Sequence, residues 1–230
     1  MDRRRGWIAG VYWALTLAFL AIGVFLAIRA PIDETMGPIQ KLIYLHLPVA
    51  VNTFLASLVV CVASVGYLAA RGQKWDDLAQ AAAAVTVLNG TVLLLTGMFW
   101  GKVAWDLWWT WSPRLTFSLI LWALYLAYLI VRRRIASPER RALVSAVYGA
   151  VAFLDVPLLY LAVKLLPDVH PTQSGLVPAM YPALWTWMAA ITMISGGLIA
   201  ARFSLARLPA FRWEHEASGP IIPPAAGLTG

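Results

Sequence analysis

A dense run of tryptophan and a pair of histidines are the residues of this chain best equipped for chemistry. The stretch "WGKVAWDLWWTWSPRLT", positions 100 to 116, holds Trp100, Trp105, Trp108, Trp109 and Trp111 beside Lys102, Asp106 and Arg114. Each large aromatic ring covers roughly 150–250 Å² when buried. At about 25 cal/mol per Å² that is an upper bound near roughly 4–6 kcal/mol per ring, so the cluster calls for lipid headgroups, another protein or a flat apolar ligand. An interfacial aromatic belt accounts for one or two tryptophans; five of the chain's 12 in so short a stretch strain that explanation. Arg114 offers a planar donor to an anion, including a ligand carboxylate. Of the 3 histidines, His46 and His170 flank this stretch in sequence, and His215 lies near the end. Neutral imidazole ligates metals, including haem iron at an axial position, and two imidazoles from separate segments suit opposite sides of one ring. A structural zinc site fits less well, because it wants four close Cys and His ligands, and the only cysteine, Cys61, lies inside an apolar run.

The elements that must position these residues follow from composition. The 230 residues are 61% hydrophobic and 13% charged, far more apolar than a soluble domain needs. Runs of about 20 apolar residues cross the hydrocarbon core of a bilayer. Six such runs predict spans over about 7–28, 44–70, 79–99, 115–131, 142–163 and 180–201. The fold class expected is an all-α integral membrane protein: a six-transmembrane-helix bundle, one membrane domain over 1–230, with a Trp-rich amphipathic outer loop at about 100–114. The first run follows "MDRRRGW" and is longer than a signal core, which predicts a retained first helix. In the loop, Trp105, Trp108 and Trp109 are three and four residues apart and would share one face of a short surface helix ended by Pro113. The lone cysteine allows no intrachain disulfide and no CxxCH attachment sequence, so the chain is not a c-type cytochrome.

The net charge of +7 is carried in short basic clusters between apolar runs, as topology signals are, and does not point to nucleic acid. With the N-terminus inside, the inner segments take Arg3, Arg4, Arg5, Arg71, Lys74, Arg132, Arg133, Arg134, Arg140, Arg141, Arg202, Arg207 and Arg212. The outer side takes Arg29, Lys41, Lys102, Arg114 and Lys164, which completes the 18 basic residues. The excess predicts both termini in the cytoplasm. His46, His170 and the tryptophan stretch then converge on the outer face. The loop "RRRIASPERR" reads as a topology determinant and lipid headgroup contact. Asp155 and Pro157, in "FLDVPLLY", fall inside the fifth span, where Asp155 is a functional candidate by its depth and its structural role would be a hydrogen bond beside the proline, where a backbone carbonyl loses its donor. Lys164 is expected to snorkel at the outer end of that span.

Taken together, these residues resemble a known family. The tryptophan stretch looks like the WWD signature of cytochrome c assembly proteins, and its ending, Arg114, Leu115 and Thr116, resembles the haem exporter protein C (CcmC) family. The similarity extends to a histidine in "IYLHLP" at the second span and another after the fifth. The resemblance implies a subunit that holds haem b at the outer face of a bacterial inner membrane. It would present the haem for covalent attachment to the periplasmic haem chaperone CcmE, beside the subunits CcmA, CcmB and CcmD. By matching position, His46 and His170 would be the axial ligands. Trp100, Trp105, Trp108, Trp109 and Trp111 would form the platform, and Arg114 takes the motif's arginine position. Ser112 stands where the family usually has Asp, Asp106 where it often has Gly, and "KLLPDVHP" lacks paired tryptophans before His170. Haem presentation is therefore the expected function, with binding and orientation supplied by the protein and reactivity by the cofactor. The alternatives are an exporter moving haem or another small molecule through the spans, and a haem-free structural anchor whose tryptophan loop docks a partner. No nucleotide-binding motif is present, so ATP use would belong to a partner.

Overall fold

A computed structural model describes residues 3–166 and 176–208. His170, Arg212 and His215 lie outside them. Seven helices of eight residues or more are described: α1 (Arg3–Arg29), α2 (Ile43–Ala70), α3 (Gln73–Trp105), α4 (Pro113–Arg134), α5 (Pro138–Ala152), α6 (Asp155–Leu165) and α7 (Tyr181–Ala206). Short 3-10 turns, Pro38–Leu42 and Pro178–Met180, lead into α2 and α7. In hydrocarbon every backbone polar group must find its partner within the protein, which an apolar helix achieves along its own length. Six segments are long and apolar enough to cross a membrane, with α5 and α6 together forming the fifth. The expected all-α, six-span bundle is what the chain forms.

Boundaries shift at three places. The third span runs from Gln73 to Trp105, well beyond the expected 79–99 at both ends. Its extra first turn is anchored by buried Asp76, whose carboxylate takes the Arg132 guanidinium end-on through two bonds, one of 2.6 Å from Nη1 to Oδ1 and one from Nη2 to Oδ2. Gln73 Nε2 donates to both Asp76 and Asp77, at 3.2 and 3.0 Å. The fifth span is broken between Ala152 and Asp155. Pro157 has no N–H for the carbonyl four residues earlier, that of Phe153. Val156 N–H takes that carbonyl instead, at 3.0 Å, and Leu154 N–H bonds Val151 at 3.0 Å. The released acceptor is thus already satisfied, and the hydrogen bond expected of Asp155 is not formed. Asp155 is buried, with Oδ2 lacking a hydrogen-bond partner among the described residues.

The third change concerns the tryptophan stretch. Trp100 and Trp105 belong to the end of α3, and Pro113 opens α4. The short surface helix expected over Trp105–Trp109 is absent. Asp106 adopts φ 58°, ψ 22° and stops α3 there. This left-handed conformation is easy for glycine and tolerated by aspartate. Pro113 begins a helix rather than ending one, since a first-turn proline sacrifices no intrahelical bond.

The helices α2 and α3 form the most extensive pair, with α7, α5 and α4 around them and α1 against α7. At one end of the bundle Tyr67, Ala142 and Ala146 pack with Trp75, close to the Arg132–Asp76 pair. At the other, Ala30, Ile43, Tyr44, Trp100, Met180 and Leu184 form a second cluster, which places the starts of α2 and α7 beside the ends of α1 and α3. Interhelical polar bonds tie the middle: Asn89 Nδ2 to Ser195 Oγ at 3.0 Å, and Asn52 Nδ2 to Thr192 Oγ1 at 3.1 Å. In an apolar medium such pairs are among the directional contacts that align helices.

Candidate functional site

The end of the bundle carrying the starts of α2 and α4 and the ends of α3 and α6 encloses a cavity of about 640 Å³. That volume lies within the range of small-molecule and cofactor sites, roughly 300–1,000 Å³. Its floor and sides are apolar, with Phe54, Leu93 and Met98 among them. His46, Trp100, Trp105, Trp108, Trp109 and Arg114 all line it. Six residues singled out in the sequence therefore meet around one space. Trp111 does not join that lining. It is 75% exposed and meets Trp109 edge-on, with ring centroids 5.7 Å apart.

His46 sits in the first turn of α2, half-buried. Its Nδ1 lies 2.8 Å from Thr96 Oγ1 of α3. The edge of its ring approaches Trp100, with centroids 5.7 Å apart and planes at 82°, an arrangement aromatic quadrupoles favour. Trp100 is held because the last turns of α3 pack against α2 and the start of α7. Trp108 and Trp109 reach the cavity from non-helical backbone beyond Asp106. Phe99 of α3 steadies Trp108 edge-on at 5.7 Å.

The polar groups at the cavity are few. Arg114, in the first turn of α4, and Lys164, near the end of α6, are its two cationic side chains. Lys164 Nζ lies 4.4 Å from the Tyr160 ring centroid, and both residues line the cavity. Trp109 Nε1 and Thr110 Oγ1 are buried with no hydrogen-bond partner among the described residues. Such groups are costly to bury unpaired, and both belong to residues that line the cavity. Ser112 caps α4 by position only: its Oγ accepts no capping hydrogen bond and is likewise buried without a partner. Asp106 does not replace an acid there. Its side chain is 88% exposed and pairs with Lys102.

Sequence reasoning missed Thr96 as the partner of His46, and Tyr160 and Lys164 as parts of the lining. Thr96 is four residues from Trp100, hence on the same helical face, a signal that was present in "TGMFW". Lys164 carried no comparable signal, because a lysine at a span end snorkels or lines a site according to what stands beside it.

A family model described as CcmC, heme exporter protein C, matches residues 3–217. The chain belongs to the heme exporter protein C family. It is 33% identical over 168 residues to the "Heme exporter protein C" of Bradyrhizobium diazoefficiens, covering 73% of this chain and 62% of that one. It is 27% identical over 158 residues to the Escherichia coli protein of the same name, covering 67% of this chain and 63% of that one. A cytochrome c biosynthesis ccmC-like mitochondrial protein of Marchantia polymorpha is 29% identical over 168 residues, covering 73% and 69%. The matches thus span somewhat under two thirds of the first two relatives' length. Within the family frame, the tryptophan stretch and His46 are the parts that the fold gathers at one cavity.

Proposed function

We propose that this protein handles haem during cytochrome c maturation, holding haem b in the cavity beside His46 and presenting it to the periplasmic chaperone CcmE. The observation that carries this reading is that His46 lines the same cavity as Trp100, Trp105, Trp108, Trp109 and Arg114. The donor set suits the group. An imidazole ligates iron, indole faces cover a flat macrocycle, and Arg114 and Lys164 suit its carboxylates. The relatives' printed name, heme exporter protein C, supports the same ligand. His170 is proposed as the second axial ligand and Trp111 as an outer part of the platform.

The chain's own residues bind, orient and shield. His46 would hold the iron, the tryptophans would exclude water, and Arg114 and Lys164 would pair with the carboxylates. Haem, when bound, would supply the reactive vinyl groups. We place the protein in a bacterial inner membrane as one multi-pass domain. Both termini are cytoplasmic, the site faces outward, and the chain works with CcmA, CcmB and CcmD.

The test is the absorption spectrum of the purified protein. Loss of the Soret band in His46→Ala or His170→Ala is expected. Haem content unchanged in the double variant overturns the ligation.

A further inference from the structure

We propose that Thr96 is a positioning residue that sets the tautomer and direction of the His46 imidazole, through a bond relayed to the backbone of α3. The proposal rests on the reading of His46 as an iron ligand, and gives that ligand its support.

Donor accounting carries it. The Thr96 hydroxyl has one hydrogen. Its Oγ1 lies 2.7 Å from the Val92 carbonyl oxygen and 3.1 Å from that of Leu93, both of which only accept. The hydroxyl hydrogen is therefore directed down the helix. Its lone pairs face His46 Nδ1, 2.8 Å away, and accept a hydrogen from it. A neutral imidazole with its proton on Nδ1 keeps its acceptor pair on Nε2. The relay runs from the Val92 carbonyl through Thr96 to His46 and makes Nε2 the ligating nitrogen. Metal-ligating histidines are commonly oriented in this way, through the nitrogen that does not bind the metal.

Two further features of α3 hold the same ring. A Cβ built on Gly97 would stand 3.2 Å from His46 Cε1, tighter than ordinary contact. Glycine there lets the imidazole lie against the helix. Trp100 closes the third side, edge-on at 5.7 Å. Thr96, Gly97 and Trp100 share one stretch of helical surface, and α2 and α3 are the most extensively packed pair in the bundle. His46 is thereby held between two closely packed helices.

The experiment uses the full-length protein in nanodiscs, with ¹⁵N-labelled histidine and titration with haem. The chain's 3 histidines make assignment by His46→Gln direct. In haem-free protein, His46 is expected as the Nδ1–H tautomer. Thr96→Val should shift it toward Nε2–H or a mixture and weaken haem binding by about ten-fold or more. Thr96→Ser should keep both the tautomer and the affinity. Gly97→Ala should change the Soret position of the bound haem. An Nε2–H tautomer in the wild type, or Thr96→Val leaving tautomer and affinity unchanged, overturns the proposal. A tautomer shift in Thr96→Val together with undiminished haem binding in His46→Ala removes the ligation reading instead and leaves the positioning contact standing.

Discussion

Arg132 was expected among the basic residues that set topology, yet it is 5% exposed and lies against Asp76, itself 3% exposed. Taking a guanidinium and a carboxylate out of water is costly, and the cost is offset here by two parallel hydrogen bonds and by Gln73 on the same carboxylate. Removing one partner leaves the other charge buried alone. Asp76→Asn or Arg132→Met is therefore expected to destabilise the protein by about 3–5 kcal/mol. The double variant should recover part of that loss. The check is a double-mutant cycle of denaturant unfolding in detergent, and additive single effects would contradict the pairing. At the other end, His46 and Thr96 show the same rule without an ion pair. A polar group kept at membrane depth is defined by what it bonds.

Among the elements, the break between α5 and α6 and the end of α3 are the two departures from simple hydropathy, and both have a local cause. Pro157 interrupts a helix that apolar content alone would continue, and the left-handed Asp106 sets the end of a helix that runs past its apolar stretch. Helix contact is set by small residues. A Cβ added to Gly149 of α5 would stand 2.6 Å from Ser64 Oγ and 3.0 Å from Val60 Cγ1 of α2. Gly149→Ala is expected to push α5 off α2, costing about 1–3 kcal/mol, as overpacking does. Ser64→Ala in the same chain should restore part of it, because the nearest obstructing atom is gone. Midpoints of thermal unfolding across the four variants measure this. An unchanged midpoint for Gly149→Ala would mean that the helices are not in contact there.

For the whole molecule, the helix order brings the arginine-rich segments 132–134 and 140–141 to one end and the tryptophan cavity to the other. This arrangement predicts opposite accessibilities across the membrane. In a Cys61→Ser background, Trp111→Cys should react with an impermeant maleimide added to intact cells, and Glu139→Cys only after permeabilisation. The reverse pattern would invert the proposed topology. The sequence by itself determined the six apolar spans, because in lipid a long apolar run has one backbone solution. It also determined the family, through a motif of unusual residue types at fixed spacing. It placed Trp100, Trp105, Trp108, Trp109, Arg114 and His46 in one candidate site, and the cavity gathers them. Only the tertiary structure decided that Trp111 stays out of that lining, that Lys164 joins it, and that Thr96 meets His46 across 50 residues of chain. It likewise decided that Arg132 meets Asp76 across 56. These contacts join distant segments, and their partners are chosen by how helices pack, which hydropathy and local spacing do not encode.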